Sequence, residues 1–274
     1  MPSNEMSQPL EQSAGSLDVA QSTSEVTVVI PTRNEAENIK PLVDRLLAAF
    51  SASGACTPSV DILFVDDSDD STIAAILAIC DSAGEGVAMV HRAKGHRPGG
   101  LAGATLVGLE CARTPLVIVM DADLQHPPEV CPGLLETMAG ASHPDIAIAT
   151  RYAPGGSSAG LSRFYRVVAS RIATKLAQHA APESLRAISD PMSGFFALRM
   201  TSIDLQRVKP RGFKILVELL IHNSDAVVSE YAYDFALRHS GTSKATLLQG
   251  GHFLRQVWGV RAARRRARKF KRAA

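Results

Sequence analysis

The stretch "VTVVIPTRNEAENIKPLVDRLLAAF", residues 26–50, joins two different hydrophobic periods. Its opening "VTVVIP" reads as a buried strand, and Pro31 is expected to stop it. Beyond the proline, Ile39, Leu42, Val43, Leu46 and Leu47 fall at helical spacing. A strand therefore hands over to an amphipathic helix within a few residues.

The same unit recurs downstream. "VDILFVDD" reads as strand, "STIAAILAICD" as helix, "GVAMVHR" as strand, "LAGATLVGLECA" as helix and "PLVIVMDAD" as strand. This alternation predicts an α/β fold, a mostly parallel sheet with helices on both faces. "PDIAIATRY" supplies another strand, followed by the loop "APGGSSAG" and a long helix "SRFYRVVASRIATKLAQHA". "MSGFFALRM" then reads as strand, "FKILVELLIHN" as helix and "VVSEYAYDFALR" as a late strand. Residues 1–24, polar and aperiodic, are expected to be disordered. One domain over 25–250 and an amphipathic tail helix over 251–274 complete the chain.

Composition narrows the class. The 274 residues are 46% hydrophobic, enough for one good-sized core. No apolar run approaches the ~20 residues of a membrane-spanning helix, and the polar start is unlike a signal peptide. Cys56, Cys80, Cys111 and Cys131 lack metal-ligand spacing and read as reduced, mostly buried thiols of a cytoplasmic protein. The net charge of +2 conceals a separation of charge: residues 1–25 hold four acids and no Lys or Arg, while "GVRAARRRARKFKRAA" holds eight basic residues and no acid.

In an open parallel sheet, ligands gather beyond the carboxyl ends of the strands. There the chain places "PTRNE", "VDDSDD" and "MDADLQ". One such cluster is explained by helix capping, which suits Ser71 and Thr72. Three on one edge repel one another unless a cation or a ligand compensates them. On a continuing strand Asp121 and Asp123 share a side. Hard oxygen ligands of this kind suit Mg2+ or Mn2+ shared with substrate phosphates. His126, followed by two prolines, reads as a turn residue.

Together "IPTRNEAENI", "VDDSDDST", "MDADLQHPPE", "ATRYAPGG", "SDPMSGFFALR" and "FALRHSGTSK" resemble the family 2, GT-A-type glycosyltransferases, and among them the polyprenyl- (dolichyl-) phosphate mannosyltransferases. The resemblance runs from about Val26 to Leu247. It implies that Pro31, Thr32, Asn34, Glu35, Asp66, Asp67 and Lys94 bind the nucleotide, and that Asp121, Asp123 and Gln125 hold the divalent ion. It further implies that Arg151, Arg166 and Ser170 take the acceptor phosphate, and that Arg238 and Lys244 face the donor diphosphate as catalytic cations. Asp190 and Glu218 stay open between acceptor positioning and structural hydrogen bonding.

The implied reaction is inverting transfer of a sugar, mannose from GDP-mannose first, to polyprenyl phosphate. Two loops depart from the family pattern: "VDDSDDST" is about one residue short, and "HRAKGHRPGGLAGA" is expanded. Both border the donor site, so a UDP-glucose or UDP-N-acetylhexosamine donor is the nearest alternative. Transfer to a hydroxyl would need a base, for which Asp190 is the one good candidate. A non-catalytic sugar-nucleotide-binding subunit would not need matched acidic and basic clusters. The tail sets Phe253, Leu254, Val257 and Trp258 before its arginines, which favours an anionic membrane surface over nucleic acid. The chain is thus expected at the cytoplasmic face of a membrane, by its own tail or through an anchoring partner protein.

Overall fold

The computed structural model of the chain describes residues 24–53, 58–83, 86–153, 156, 187–210 and 215–236. Several expectations lie outside these residues: the N-terminal segment, the helix of residues 162–180 with Arg166 and Ser170, Arg238, Lys244, Cys56 and the basic tail.

Within them runs β1 (Val26–Thr32), α1 (Ala36–Ser51), β2 (Val60–Asp66), α2 (Thr72–Ala83), β3 (Val87–His91), α3 (Gly100–Cys111) and β4 (Leu116–Val119). Then come α4 (Cys131–Ala139), β5 (Ile146–Thr150), β6 (Phe196–Arg199), α5 (Ile215–His222) and β7 (Val228–Ala232). The strands form one sheet in the order β3-β2-β1-β4-β6-β5-β7. All pairs are parallel except those of β6, which runs antiparallel to both β4 and β5.

The sheet is buried on both sides, as the apolar runs demand. Val28, Ile30, Phe64 and Ile118 face α1, α2 and α4, which contribute Ile39, Leu42, Leu46, Ile76 and Leu134. Val29, Leu63, Val65, Val117 and Phe196 face α3 and α5, with Leu106, Leu109, Leu216 and Leu219. The alternation of Val28, Val29 and Ile30 between the two cores is the period-2 signature of a strand. Gly108 lets α3 lie close on β1, since a Cβ there would stand 2.3 Å from Val29 Cγ1.

Pro31 does not stop β1, contrary to the sequence reading; the strand continues to Thr32, paired with Asp66. The ladder to β4 ends earlier, at Val29 and Val119. At Pro31 β1 is therefore an edge on that side, where a missing N–H breaks no bond. After β2 and β3 are laid down on one side of β1, the chain crosses to place β4 on the other. The carboxyl ends of β1 and β4 thus flank a topological switch point, the place where such sheets bind ligands.

Candidate functional site

β4 ends at Val119, and Met120 N–H still donates to Val29 O at 3.2 Å. Asp121 and Asp123 consequently lie in a turn, not on a continuing strand face as the spacing suggests. Leu124 is left-handed (φ 59°) with its side chain buried. That backbone costs a leucine about 1–2 kcal/mol, which burial of its side chain offsets. The turn holds Asp123 down through Gln125 N–H to Asp123 Oδ1, 3.1 Å, while the Asp121 side chain stays 36% exposed.

Asp121 and Asp123 are hard oxygen donors at the rim of the crevice. Among the described residues no group of three or more His, Cys, Asp and Glu is gathered for a metal. Two carboxylates alone would suit an ion that completes its sphere with substrate oxygens and water, as Mg2+ and Mn2+ do. Gln125 points its amide nitrogen at Ala236 O, 3.4 Å, and Ala236 N–H returns a bond to Gln125 O, 3.0 Å. The acidic turn is thereby tied to the segment that leaves β7.

His126 is not merely a turn residue. It is 4% exposed, ringed by Phe195, Tyr233 and Phe235, with Nδ1 2.8 Å from Tyr233 Oη and Nε2 3.3 Å from Asp121 Oδ2. Burial pushes the Tyr233 phenol well above its usual value; Arg151 pulls it down, and the carboxylates of Asp190, Asp121 and Asp123 add to the rise. The partner Tyr233 lies 107 residues away, so no local pattern marks the pair.

The loops after β1 and β2 are laced together. Asn34 takes a left-handed backbone (φ 53°), donating its N–H to Ser68 Oγ and accepting from Asp69 N–H. Glu35 N–H donates to Thr72 Oγ1 at 2.9 Å. Thr72 is therefore not a cap of α2; Asp70 Oδ1 accepts the Thr72 N–H instead. Thr32 Oγ1 donates to Asp66, which is fully buried and also accepts from Ser68 and meets His91 Nδ1 at 2.9 Å.

The second-strand acids need no added cation. Arg92 grips both oxygens of Asp67, and Arg97 both oxygens of Asp69. Arg92 also binds Pro98 O and Gly100 O, and Arg97 binds Ser68 O and Arg92 O. Both arginines come from the expanded "HRAKGHRPGG" loop. Lys94, expected at the nucleotide, stands exposed on that loop's turn and contributes only a distant charge to Asp69. The signal for Arg92 and Arg97 was present: two arginines in the expanded loop match two acids in its neighbour.

At the end of β5, Arg151 forks onto Asp190, Nε to Oδ2 at 2.7 Å and Nη2 to Oδ1 at 3.0 Å. Its guanidinium sits against the rings of Tyr152 and Phe235, at 5.3 and 5.2 Å. Burial pulls the Arg151 pKa down, but the charge and hydrogen bonds of Asp190 outweigh it and the net direction is up. The loop carrying Asp190 is held by Glu230, which accepts from Ser189 N–H and Oγ at 2.7 and 2.8 Å. Asp190 is thus a buried ion-pair partner, and Glu218 a buried acid on α5 with His222 at 3.5 Å. Cys80 and Cys131 are buried free thiols, and Cys111 is half-buried, as expected of reduced cysteines.

The chain that carries this acidic turn matches known proteins in sequence and in fold. Residues 27–200 match the model of Glycosyl transferase family 2. The chain belongs to that family. It is 38% identical over 233 residues to the dolichol-phosphate mannosyltransferase of Pyrococcus furiosus, covering 85% of this chain and 62% of that one. It is 33% identical to the polyprenol monophosphomannose synthase of Mycolicibacterium smegmatis, covering 90% and 91%. A structure of glucosyl-3-phosphoglycerate synthase from Mycobacterium tuberculosis, in complex with Mn2+, uridine-diphosphate-glucose and phosphoglyceric acid, superposes with a TM-score of 0.60. That match is 21% identical, covers 91% of this chain and 82% of that one, and shows the shared GT-A fold. This family 2 chain is a glycosyltransferase by that membership, and its acid-bearing turn falls inside the matched residues.

Proposed function

We propose that the chain transfers mannose from GDP-mannose to a polyprenyl phosphate, with inversion at the anomeric carbon. The observation that carries this reading is the Arg151–Asp190 pair. Transfer to a sugar hydroxyl needs a base, and Asp190 is the sequence's candidate; here both its oxygens are engaged by a guanidinium. A phosphate acceptor is already anionic and needs no such base. The names of the relatives point the same way.

In this reading a phosphate oxygen of the acceptor attacks the anomeric carbon, the bond from that carbon to the diphosphate breaks, and GDP leaves. A divalent ion on Asp121 and Asp123, Mg2+ or Mn2+, would neutralise charge on the leaving diphosphate. The laced loops at Thr32–Glu35 and Asp66–Asp70 present an ordered wall to the nucleotide, so little ordering entropy is lost on binding. The Nη1 edge of Arg151, the part not turned to Asp190, is assigned to the acceptor phosphate together with Arg166 and Ser170. Arg238 and Lys244 are assigned to the donor diphosphate.

Among the described residues no helix is long and apolar enough to cross a membrane. Access to a lipid acceptor is assigned to the basic tail, lying on an anionic cytoplasmic surface or held there by a partner protein.

The reading is tested by offering radiolabelled GDP-mannose, UDP-glucose and UDP-N-acetylglucosamine with polyprenyl phosphate and Mg2+ or Mn2+. Label should pass to the organic phase from GDP-mannose; preference for either uridine donor would replace the sugar and base named here.

A further inference from the structure

His126 bridges two groups that the sequence keeps far apart, Asp121 at the rim and Tyr233 beyond β7. We infer that His126 is a positioning residue: clamped by Tyr233, it holds the Asp121 carboxylate in the orientation that receives the divalent ion. The inference rests on the assignment of that ion to Asp121 and Asp123.

The hydrogen bonds fix how the clamp works. An ionised carboxylate can only accept, so the imidazole proton facing Asp121 sits on Nε2. In a neutral ring Nδ1 is then the acceptor, and the Tyr233 O–H must donate to it. Burial favours the protonated phenol, which keeps that donor in place. The phenol thereby sets the tautomer, and the tautomer sets the bond to Asp121. Rotation of the ring is blocked by Phe195 and Phe235, whose centroids lie 5.2 and 5.4 Å from it.

The backbone opposite is cut to fit. A Cβ on Gly194 would stand 3.0 Å from Asp121 Oδ2 and 3.4 Å from His126 Nε2, so a side chain there would press on the bonded pair by a few tenths of an ångström. Gly194 and His126 stand against the Asp121 carboxylate, and Tyr233, from a third segment, reaches it through His126. Outer-shell partners of metal ligands typically control affinity by 10–100-fold.

The test is Mn2+ binding by the full chain with GDP present, read from the electron paramagnetic resonance signal of free Mn2+. H126A should weaken binding about 10- to 100-fold. H126Q, whose amide N–H reaches the Nε2 position, should recover most of that loss; the shorter H126N, which reaches only Tyr233, should not. If H126A fails to fold, the comparison of H126Q with H126N still decides. Wild-type affinity in all three, with D121N weakened, would overturn the clamp. Equal weakening in all three, H126Q included, would mark mere packing and overturn it too. An unchanged affinity in D121N would instead remove the metal reading, and the role of His126 with it.

Discussion

Arg151 meets both oxygens of Asp190 with two arms of its guanidinium, at a point where Asp190 has no exposed surface and the Arg151 side chain only 10%. Removing one member of such a pair leaves the other charged and buried. Asp190→Asn should therefore destabilise the protein by about 3–5 kcal/mol, read from urea unfolding. The double variant R151M/D190N should recover part of that loss. A base at Asp190 would give the opposite pattern, with stability kept and kcat lost.

Asp123 serves the turn as well as the proposed ion. Asp123→Ala should cost about 1 kcal/mol of stability, for the lost bond from Gln125 N–H. It should lower Mg2+- or Mn2+-dependent sugar transfer by about 100-fold or more, since a bound ion supplies several kcal/mol. Undiminished turnover would remove the metal assignment.

Arg97 governs a pH effect. Its hydrogen bonds hold the Asp69 carboxyl below the ordinary range, with further pull from the charges of Arg97, Lys94 and Arg33. The unfolded chain therefore binds more protons than the folded one in that window, and stability rises with pH. The contribution is complete above the ordinary carboxylate value of about 3.9 and is lost as pH falls through the depressed folded value. The gap in urea midpoint between wild type and Arg97→Gln should be steady near neutrality and shrink below about pH 4.

The tail makes a separate prediction. Each basic residue near an anionic surface contributes about 1 kcal/mol. Truncation after Gly250 should abolish sedimentation with phosphatidylserine vesicles at low salt while leaving the domain folded. Unchanged sedimentation would move the membrane contact elsewhere on the chain.

The sheet, its helices and its two-sided burial were legible because period-2 and period-3.6 patterns are local. Pro31 misled, since whether a missing N–H matters depends on where the neighbouring β4 ends. The direction of β6 was not legible, because an apolar run such as "FFALR" carries no sign of its partner's sense. Asp121 and Asp123 stand out in the sequence by their position after a buried strand, but the turn at Leu124 takes them off the strand face that their spacing suggested. His126 was missed because its meaning resides in Tyr233, Phe195 and Phe235, none of them near it in sequence. Arg92 and Arg97 left a trace, two arginines in one loop and two acids in another, but which arginine meets which acid becomes visible only once β2 and β3 pair.

In the proposed reaction the acceptor is a phosphate that needs no base. The decisive assay offers GDP-mannose with polyprenyl phosphate and, separately, with the corresponding polyprenol. Mannose should pass to the phosphate alone, in a product whose mild acid hydrolysis releases mannose. Mannosylation of the free polyprenol at a comparable rate would contradict it.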